Sequence, residues 1–411
     1  MAEESPPQLN LPPEAQWGPG FDVARATDAY IATIPAADRA KSDAYFEGGY
    51  WIGAWAALIT VAICWILLRT RFSARLRDFA ERRARRPYLQ GFIYAAVTTL
   101  VFALLTLPWT LYTDYFREHQ YGMSNQDLGA FLGDQAKMLV LFVAVGAIAI
   151  AGFYRVIRRV RERWVYWATG ITAFFMLFFI MIYPVFVAPM FNDYQSLPEG
   201  EVRQSILALA RESGIPHDDV FWFDASRQTT RISANVSGLF GTTRIALNDN
   251  LLNGATLPEI RAVMAHEMGH YVLHHSLWIP IGFSLTFGFA YWVINRLFGY
   301  FQRRYGERWG VRDLADPAGL PLAFAIFTVV MLLLSPVTNS IVRTAENQAD
   351  ALGLDAAREP YGFASIAMRL SVYRKLEPSR LEEIVFFDHP SGRDRVERAM
   401  RWLADHPPSS P

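Results

Sequence analysis

The stretch VMAHEMGHYVLHH (263–275) joins two kinds of sequence, because SLWIPIGFSLTFGF (276–289), which follows it directly, has the composition of a membrane span. His266 and His270 are four residues apart, so on a helix both imidazoles lie on one face and can converge on one ion. Glu267 lies beside them, within reach of a water on that ion without binding the ion itself. This HExxH pattern is typical of a zinc helix with a glutamate base.

The helix that carries the motif has a clear predicted start. Thr256 followed three residues later by Glu259 forms a capping-box pattern, and Pro258 occupies the first turn, where its missing N–H costs little. An HExxH pattern can also arise by chance. In that case these residues would belong to a helix with surface histidines near a membrane. We expect His274 and His275 to be surface histidines of that kind.

A third metal ligand has to come from elsewhere in the chain. Leu273 and Ser276 occupy the positions where the metzincin extension requires glycine and histidine. TAENQAD (344–350) supplies Glu346, which completes a His, His, Glu site of the thermolysin type and leaves a fourth position open. Asp350, one turn later, is expected to hold a ligand imidazole in the correct tautomer. The alternative for these acids is a solvated helix end.

The composition of the whole chain predicts a membrane protein. Its 411 residues are 52% hydrophobic and 14% aromatic. A formal net charge of zero argues against a nucleic-acid binder, which needs a basic excess. Cys64 is the single cysteine, which excludes an intrachain disulfide and a zinc site built from cysteines. Only 3 of the 39 basic residues are lysine, a bias that favours a bacterial source and therefore a bacterial inner membrane.

Six runs are apolar and long enough to predict membrane-spanning helices, which need roughly 20 residues each. The third is short, so a buried soluble helix remains its alternative. Pro184 and Pro189 lie near the end of the fourth and predict a kink or an early exit. The runs are 50–68, 91–112, 138–154, 164–191, 276–295 and 319–342.

Arginine-rich loops between these runs predict the orientation of the chain in the membrane. Eight arginines lie in 69–86, five in 154–163 and four in 300–318, and these are alternate loops. Because basic loops stay on the cytoplasmic side, the chain's two ends and residues 192–275 are expected on the non-cytoplasmic face.

Five regions follow from this pattern. Residues 1–49 form an acidic, Pro-rich N-terminal tail, expected to be exposed, without the features of a signal peptide. A four-span region over 50–191 precedes a peptidase subdomain over 192–275. A two-span region covers 276–342, and a C-terminal helical part covers 343–411.

The region between the fourth and fifth runs has the sequence pattern of a soluble domain. Residues 199–214 show helical periodicity and end at a glycine. Runs at 220–224, 232–241 and 243–248 alternate as strands do, and a glycine turn separates the last two. The sequence therefore predicts a small sheet beside the membrane.

With these motifs in place, the chain resembles the type I CAAX prenyl protease family, integral-membrane zinc metalloproteases of the gluzincin type. The likeness spans about residues 50 to 400 and, taken jointly, its blocks are highly specific. They are LTLPWTLY (105–112), YPVFVAPMFN (183–192), SANVSGLFGTTRIALNDNLL (233–252), HEMGH (266–270), ENQAD (346–350) and DHPSGRDR (388–395).

The resemblance implies a mainly α, polytopic membrane protein. About six transmembrane helices would form a barrel around an intramembrane chamber, with a small sheet and the zinc helix at one membrane face. It further implies one zinc ion per chain, with His266, His270 and Glu346 as its ligands and Glu267 as the base. Relatives from eukaryotes have a seventh, N-terminal span, which we expect to be absent here. Their peptidase face is cytosolic, opposite to the face that the arginine loops predict.

Three further residues match family positions, and the first two of these positions flank the scissile bond. Asn235 is expected to contact the substrate backbone along a strand edge, and His389 to stabilise the oxyanion. Arg395 matches the arginine that follows this histidine. Without the family blocks, a turn asparagine and a helix-start histidine are the simpler interpretations of the first two.

The expected function is that of a zinc metalloendopeptidase acting on membrane-associated, prenylated or lipidated CAAX-type substrates, with peptides and the bilayer as partners. A membrane quality-control protease of the heat-shock type shares HExxH and the later glutamate, but it usually has fewer spans. A transporter would place ionisable residues inside its spans, which are nearly uncharged here. A non-catalytic scaffold would have no need of Glu267.

Overall fold

The computed structural model describes residues 7–215, 218–238 and 242–408. Helices dominate in these ranges, and four short strands within them form one sheet. The helices are α1 (Val23–Ala32), α2 (Ala36–Arg69), α3 (Phe72–Arg83), α4 (Pro87–Thr110), α5 (Arg117–Tyr121), α6 (Leu128–Val160), α7 (Trp164–Ile182), α8 (Glu201–Glu212), α9 (Asp249–Gly254), α10 (Leu257–Val272), α11 (His275–Trp309), α12 (Leu320–Leu333), α13 (Ser335–Ala357), α14 (Pro360–Leu370), α15 (Arg380–Phe386) and α16 (Gly392–Asp405). The strands are β1 (Tyr194–Ser196), β2 (Phe221–Phe223), β3 (Ala234–Ser237) and β4 (Arg244–Asn248).

Within the described residues, four helical segments are long and apolar enough to cross a bilayer, and a bent pair, Pro317–Leu333 with Ser335–Ala357, makes a fifth if it is one span. The four are Ala36–Arg69, Pro87–Tyr121, Leu128–Met190 and His275–Trp309. A straight helix over the 63 residues of the third segment would be about 95 Å long, roughly three times the hydrocarbon thickness. That segment contains α6 and α7, which meet at Arg161 with a φ of 46°. Each of the six predicted runs lies in a helical segment, except for Phe191 at the end of the fourth and Leu334 within the sixth.

Three of these runs differ from a simple straight span. The third lies in α6, which has 33 residues and is not short. The fourth leaves the regular α-helix at Ile182 and continues through a wider helical turn that contains Pro184, so it is not one straight α-helix, as the prolines predict. The sixth bends by 55° between α12 and α13, where Pro336 has no N–H to offer the carbonyl of Leu332.

The prediction of an exposed N-terminal tail is wrong for the described residues from 7 onward. Ala26 and Tyr30 of α1 are fully buried in a cluster with Val396 and Met400 of α16. Helix α2 begins at Ala36, 14 residues before the predicted first run. The predicted boundaries at 49/50 and 342/343 consequently fall inside α2 and α13.

The predicted small sheet is confirmed, with strand order β1-β2-β4-β3. β1 is antiparallel to β2, β2 is parallel to β4, and β3 is antiparallel to β4. Sequence reasoning missed β1, which has only three residues. Residues 239–241 of the predicted strand over 232–241 lie outside the described residues.

The sheet and α8 hold α10 in place. Ile245 and Leu247 of β4 share one buried cluster with Ile260 and Met264 of α10, and Ile206 of α8 belongs to the same cluster. On its other side α10 packs against α13. A Cβ at Gly269 would lie 3.1 Å from Cα of Ala349, so a glycine is needed for the two helices to approach this closely.

Helix α10 does not continue straight into the membrane helix. It ends at Val272, His274 has a φ of 55°, and α11 begins at His275. A left-handed backbone is uncommon for a residue other than glycine. The chain therefore changes direction between the HExxH helix and the apolar helix that follows it.

Candidate metal centre

The start of α10 is fixed as the sequence predicts. The carboxylate of Glu259 accepts a hydrogen bond from the backbone N–H of Thr256 at 2.7 Å. Glu259 is itself fully buried, and it also accepts hydrogen bonds from the Ser365 hydroxyl at 2.7 Å and from Nε of Arg369 at 2.6 Å. These contacts link the first turn of α10 to α14. They therefore fix the position of the helix whose two histidines follow two to three turns later.

The structure brings His266, His270 and Glu346 together as the sequence predicts. Nε2 of His266 lies 3.1 Å from Nε2 of His270. Oε2 of Glu346 lies 3.3 Å from the first nitrogen, and Oε1 lies 3.3 Å from the second. The three side chains could hold a metal ion.

These distances fit a tetrahedral ion. With ligand bonds of about 2.0–2.1 Å, two ligands of a tetrahedral zinc are separated by roughly 3.3 Å. Two imidazole nitrogens at 3.1 Å have no reason to face each other unless a proton or a cation lies between them. The donor set and its spacing therefore suit a divalent metal.

Two buried residues, Asp350 and Arg395, contact the side chains of this centre. Oδ1 of Asp350 lies 2.8 Å from Nδ1 of His266, and Oδ2 lies 3.1 Å from Nε of Arg395. Arg395 also donates from its terminal nitrogen to Oε2 of Glu346 at 2.9 Å. One guanidinium thus neutralises two buried carboxylates, which would otherwise be costly to bury. The orienting role for Asp350 stays a prediction, and its 2.8 Å separation from Nδ1 of His266 supports it.

His389 reaches the edge of the centre from the loop before α16. Its Nε2 lies 3.3 Å from Oε2 of Glu346, and its Nδ1 lies 2.8 Å from the carboxylate of Asp388. The side chain is 28% exposed and lines the cavity that contains the two histidines and Glu346.

Glu267 lines the same cavity as the two histidines, Glu346 and His389, and the cavity has a volume of about 250 Å³. Burial raises the pKa of the Glu267 carboxyl above its usual value, and the neighbouring His266 and His270 offset part of this rise. The side chain is therefore a stronger base than a solvated glutamate.

The structure does not bring Asn235 into this cavity. Ile232, Ser233 and Ala234 line it, whereas the Asn235 side chain accepts a hydrogen bond from the Ser237 hydroxyl at 2.9 Å. β3 pairs only with β4 among the described strands. Its other edge remains available for the predicted contact with a substrate backbone, and that contact would come from the strand rather than from the Asn235 side chain.

Sequence reasoning missed two residues at the site. His275 is not a surface histidine: it is 2% exposed, and its Nδ1 lies 2.7 Å from Nδ1 of His270. Arg374 lines the cavity, and burial together with the charge of Arg395 lowers its pKa. No motif marks either residue, because both reach the site through breaks in regular structure.

The fold and the site define the class of a membrane-embedded metalloprotease. Residues 24–193 match the family model described as CAAX prenyl protease N-terminal, five membrane helices, and residues 196–403 match Peptidase family M48. The chain belongs to peptidase family M48. The family resemblance, the helical membrane fold and the metalloprotease class that the sequence predicts are thereby confirmed, and membership implies a metal ion.

Similar proteins come from bacteria and eukaryotes. An uncharacterized metalloprotease, YhfN, of Bacillus subtilis (strain 168) is 29% identical over 81% of this chain and 79% of its own length. CAAX prenyl protease 1 of Saccharomyces cerevisiae is 28% identical over 75% of this chain and 71% of its own. The crystal structure of S. mikatae Ste24p has the same fold, with a TM-score of 0.74 over 90% of this chain and 89% of that one, at 22% identity.

Proposed function

We propose that this chain is a zinc-dependent endopeptidase in which His266, His270 and Glu346 hold one zinc ion and Glu267 is the general base. The observation that carries the proposal is the convergence of three donor atoms at 3.1 to 3.3 Å beside the Glu267 carboxylate. Two imidazoles and one carboxylate with an open fourth position are a common ligand set of catalytic zinc.

Different residues of this chain have different roles in peptide hydrolysis. When bound, zinc polarises the scissile carbonyl and lowers the pKa of water to about 7. Glu267 accepts a proton from the attacking water at its carboxylate and delivers it to the leaving amine. His389 donates from Nε2 to the oxyanion that develops on the former carbonyl, while Asp388 holds its other nitrogen.

The remaining residues position these groups and the substrate. Asp350 keeps His266 in the tautomer that leaves Nε2 free for the metal. Arg395 fixes Glu346 and Asp350 relative to each other through its two contacts. A substrate adds to the open edge of β3 as an extended strand, in line with Asn235.

The proposed substrates are membrane-associated peptides, including prenylated or lipidated CAAX-type chains, because several relatives are named CAAX prenyl proteases. An apolar cavity of about 690 Å³ between α6, α7, α11 and α12 supports this choice. Phe153, Tyr291 and Phe327 are among its lining residues. A space with this lining suits the hydrocarbon chain of a lipidated substrate.

The proposed location is the bacterial inner membrane, with the peptidase on the non-cytoplasmic face. The arginine-rich loops 69–86 and 300–318 support it because they pack against each other: Arg77 contacts Asp316 at 2.6 Å, and Arg312 contacts Glu81 at 2.6 Å. Basic loops that share one end of the molecule are the usual mark of the cytoplasmic side.

The test is cleavage of quenched fluorescent peptides by the purified full-length protein in detergent. We expect turnover that a chelator abolishes and zinc restores, and a loss of about 10³-fold or more in Glu267→Gln with its zinc retained, since the base is then missing. Glu212→Gln, an exposed glutamate of α8, serves as the matched control. An equally active Glu267→Gln variant would refute the assignment.

The same assay separates the two candidate substrate classes. Two peptides of one CAAX sequence, with and without a farnesyl thioether, are compared for KM. A lower KM for the farnesylated peptide is expected if the apolar cavity binds the lipid. Equal KM values, together with efficient cleavage of unfolded membrane-protein segments, would instead favour a quality-control protease.

A further inference from the structure

His275 touches a candidate metal ligand, yet nothing in the proposed chemistry uses it. It is 2% exposed. Its Nδ1 lies 2.7 Å from Nδ1 of His270, and its Nε2 lies 3.1 Å from Oε1 of Gln348. The ring of Trp278 packs edge-on against it with centroids 5.2 Å apart. Both ring nitrogens are therefore engaged, and the ring plane is held.

The break between α10 and α11 makes this contact possible. On an unbroken helix, residues five apart point about 140° away from each other. His274 instead takes the left-handed conformation, with a φ of 55°, and the chain turns so that His275 faces back to His270. This conformation is unfavourable for a residue with a side chain. The structure thus keeps a strained residue at the point where it produces this contact.

The arrangement of protons follows from the geometry. A nitrogen that binds a metal carries no proton, so His270 bears its proton on Nδ1 when Nε2 faces the centre. That N–H donates to Nδ1 of His275, which leaves the proton of His275 on Nε2. This second N–H donates to the carbonyl oxygen of Gln348. His270 and His275 then each have only one compatible tautomer, and the side-chain amide of Gln348 has only one compatible orientation.

We propose that His275 and Gln348 position His270 for metal binding, by fixing its tautomer and its ring orientation. Gln348 lies on α13 two residues after Glu346, so the hydrogen-bonded chain also ties α10, the start of α11 and α13 together at the centre. His270 thereby gains the kind of support that Asp350 gives to His266. The inference rests on the proposed function, because it requires His270 to bind the metal.

The experiment measures zinc affinity of the full-length protein in detergent by competition with a chromophoric chelator. Removal of such an orienting partner typically weakens metal binding about 10–100-fold, and we expect a loss of this size for His275→Ala and a similar or smaller loss for Gln348→Leu. His275→Asn restores most of the affinity, because its side-chain oxygen can accept the proton of His270. His274→Asn removes the neighbouring exposed imidazole, keeps a residue that tolerates the left-handed conformation, and leaves the affinity unchanged.

Thermal unfolding distinguishes positioning from packing. If the proposal holds, His275→Asn unfolds like the wild type without zinc, and His275→Ala loses mainly the increase in Tm that zinc produces. Wild-type affinity in His275→Ala would overturn the inference and leave the proposed function intact. An equal loss of Tm with and without zinc, at unchanged affinity, would also overturn it. A wild-type protein that binds no zinc would overturn both the inference and the proposed function.

Discussion

At the scale of single residues, the candidate metal centre depends on a buried guanidinium that neutralises two buried carboxylates. Glu346 and Asp350 are both buried carboxylates, and Arg395 contacts each of them. The HExxH spacing predicts His266 and His270 because four residues return a helix to the same face. Nothing in the spacing predicts that Arg395, which lies 45 residues after Asp350 along the chain, lies between these two acids. That contact depends on how α16 packs on α13.

Arg395→Leu should therefore destabilise the protein strongly when zinc is removed. An unpaired buried charge costs about 3–5 kcal/mol, and bound zinc compensates part of it by neutralising Glu346. The measurement is Tm by fluorescence-detected unfolding, with and without zinc. Arg401→Leu, on the same helix and 66% exposed, is the control and should shift Tm little. Equal shifts for the two variants would contradict the account.

At the scale of elements, glycines and helix breaks position the site. Gly353 of α13 faces the backbone of His266: a Cβ there would lie 2.9 Å from the amide nitrogen of His266. The sequence predicts α10, its capping box and the region of the third ligand, because each has a local signal. It does not predict the breaks at His274 and Leu334 or the burial of residues from α1, since those depend on contacts between distant segments.

Gly353→Ala tests how closely α10 must approach α13. The added methyl group forces the helices apart by a few tenths of an ångström, which costs about 1–3 kcal/mol and should weaken zinc binding by moving His266 away from Glu346. Gly133→Ala on α6, where a Cβ meets nothing within 4 Å, should be neutral or slightly stabilising because alanine favours a helix. Tm and zinc affinity are measured for both. Unchanged zinc affinity in Gly353→Ala would count against the close approach.

At the scale of the whole molecule, the peptidase elements and the arginine-rich loops belong to different regions. The centre is built by α10, α13 and the loop before α16, whereas α3 and the loop before α12 carry the basic residues. The membrane fold is predictable because long apolar runs have few alternatives. The N-terminal segment is not, because a Pro-rich acidic composition resembles a solvated tail even where Ala26 and Tyr30 are buried.

Orientation is testable with cysteines, because Cys64 is buried and is the only native one. In a Cys64→Ala background, Glu212→Cys should react with a membrane-impermeant maleimide added to intact spheroplasts. Arg85→Cys, in an arginine-rich loop, should react only in inverted membrane vesicles. This result follows from the positive-inside rule. The reverse labelling would place the peptidase on the cytoplasmic face.

The most direct test of the central claim is the position of zinc in an anomalous difference map from crystals of the zinc-loaded Glu267→Gln protein. The account predicts one strong peak about 2.0–2.2 Å from Nε2 of His266, Nε2 of His270 and a carboxylate oxygen of Glu346, next to the side chain at position 267. A peak elsewhere, for example between His274 and another histidine, or zinc without Glu346 as a ligand, would contradict it.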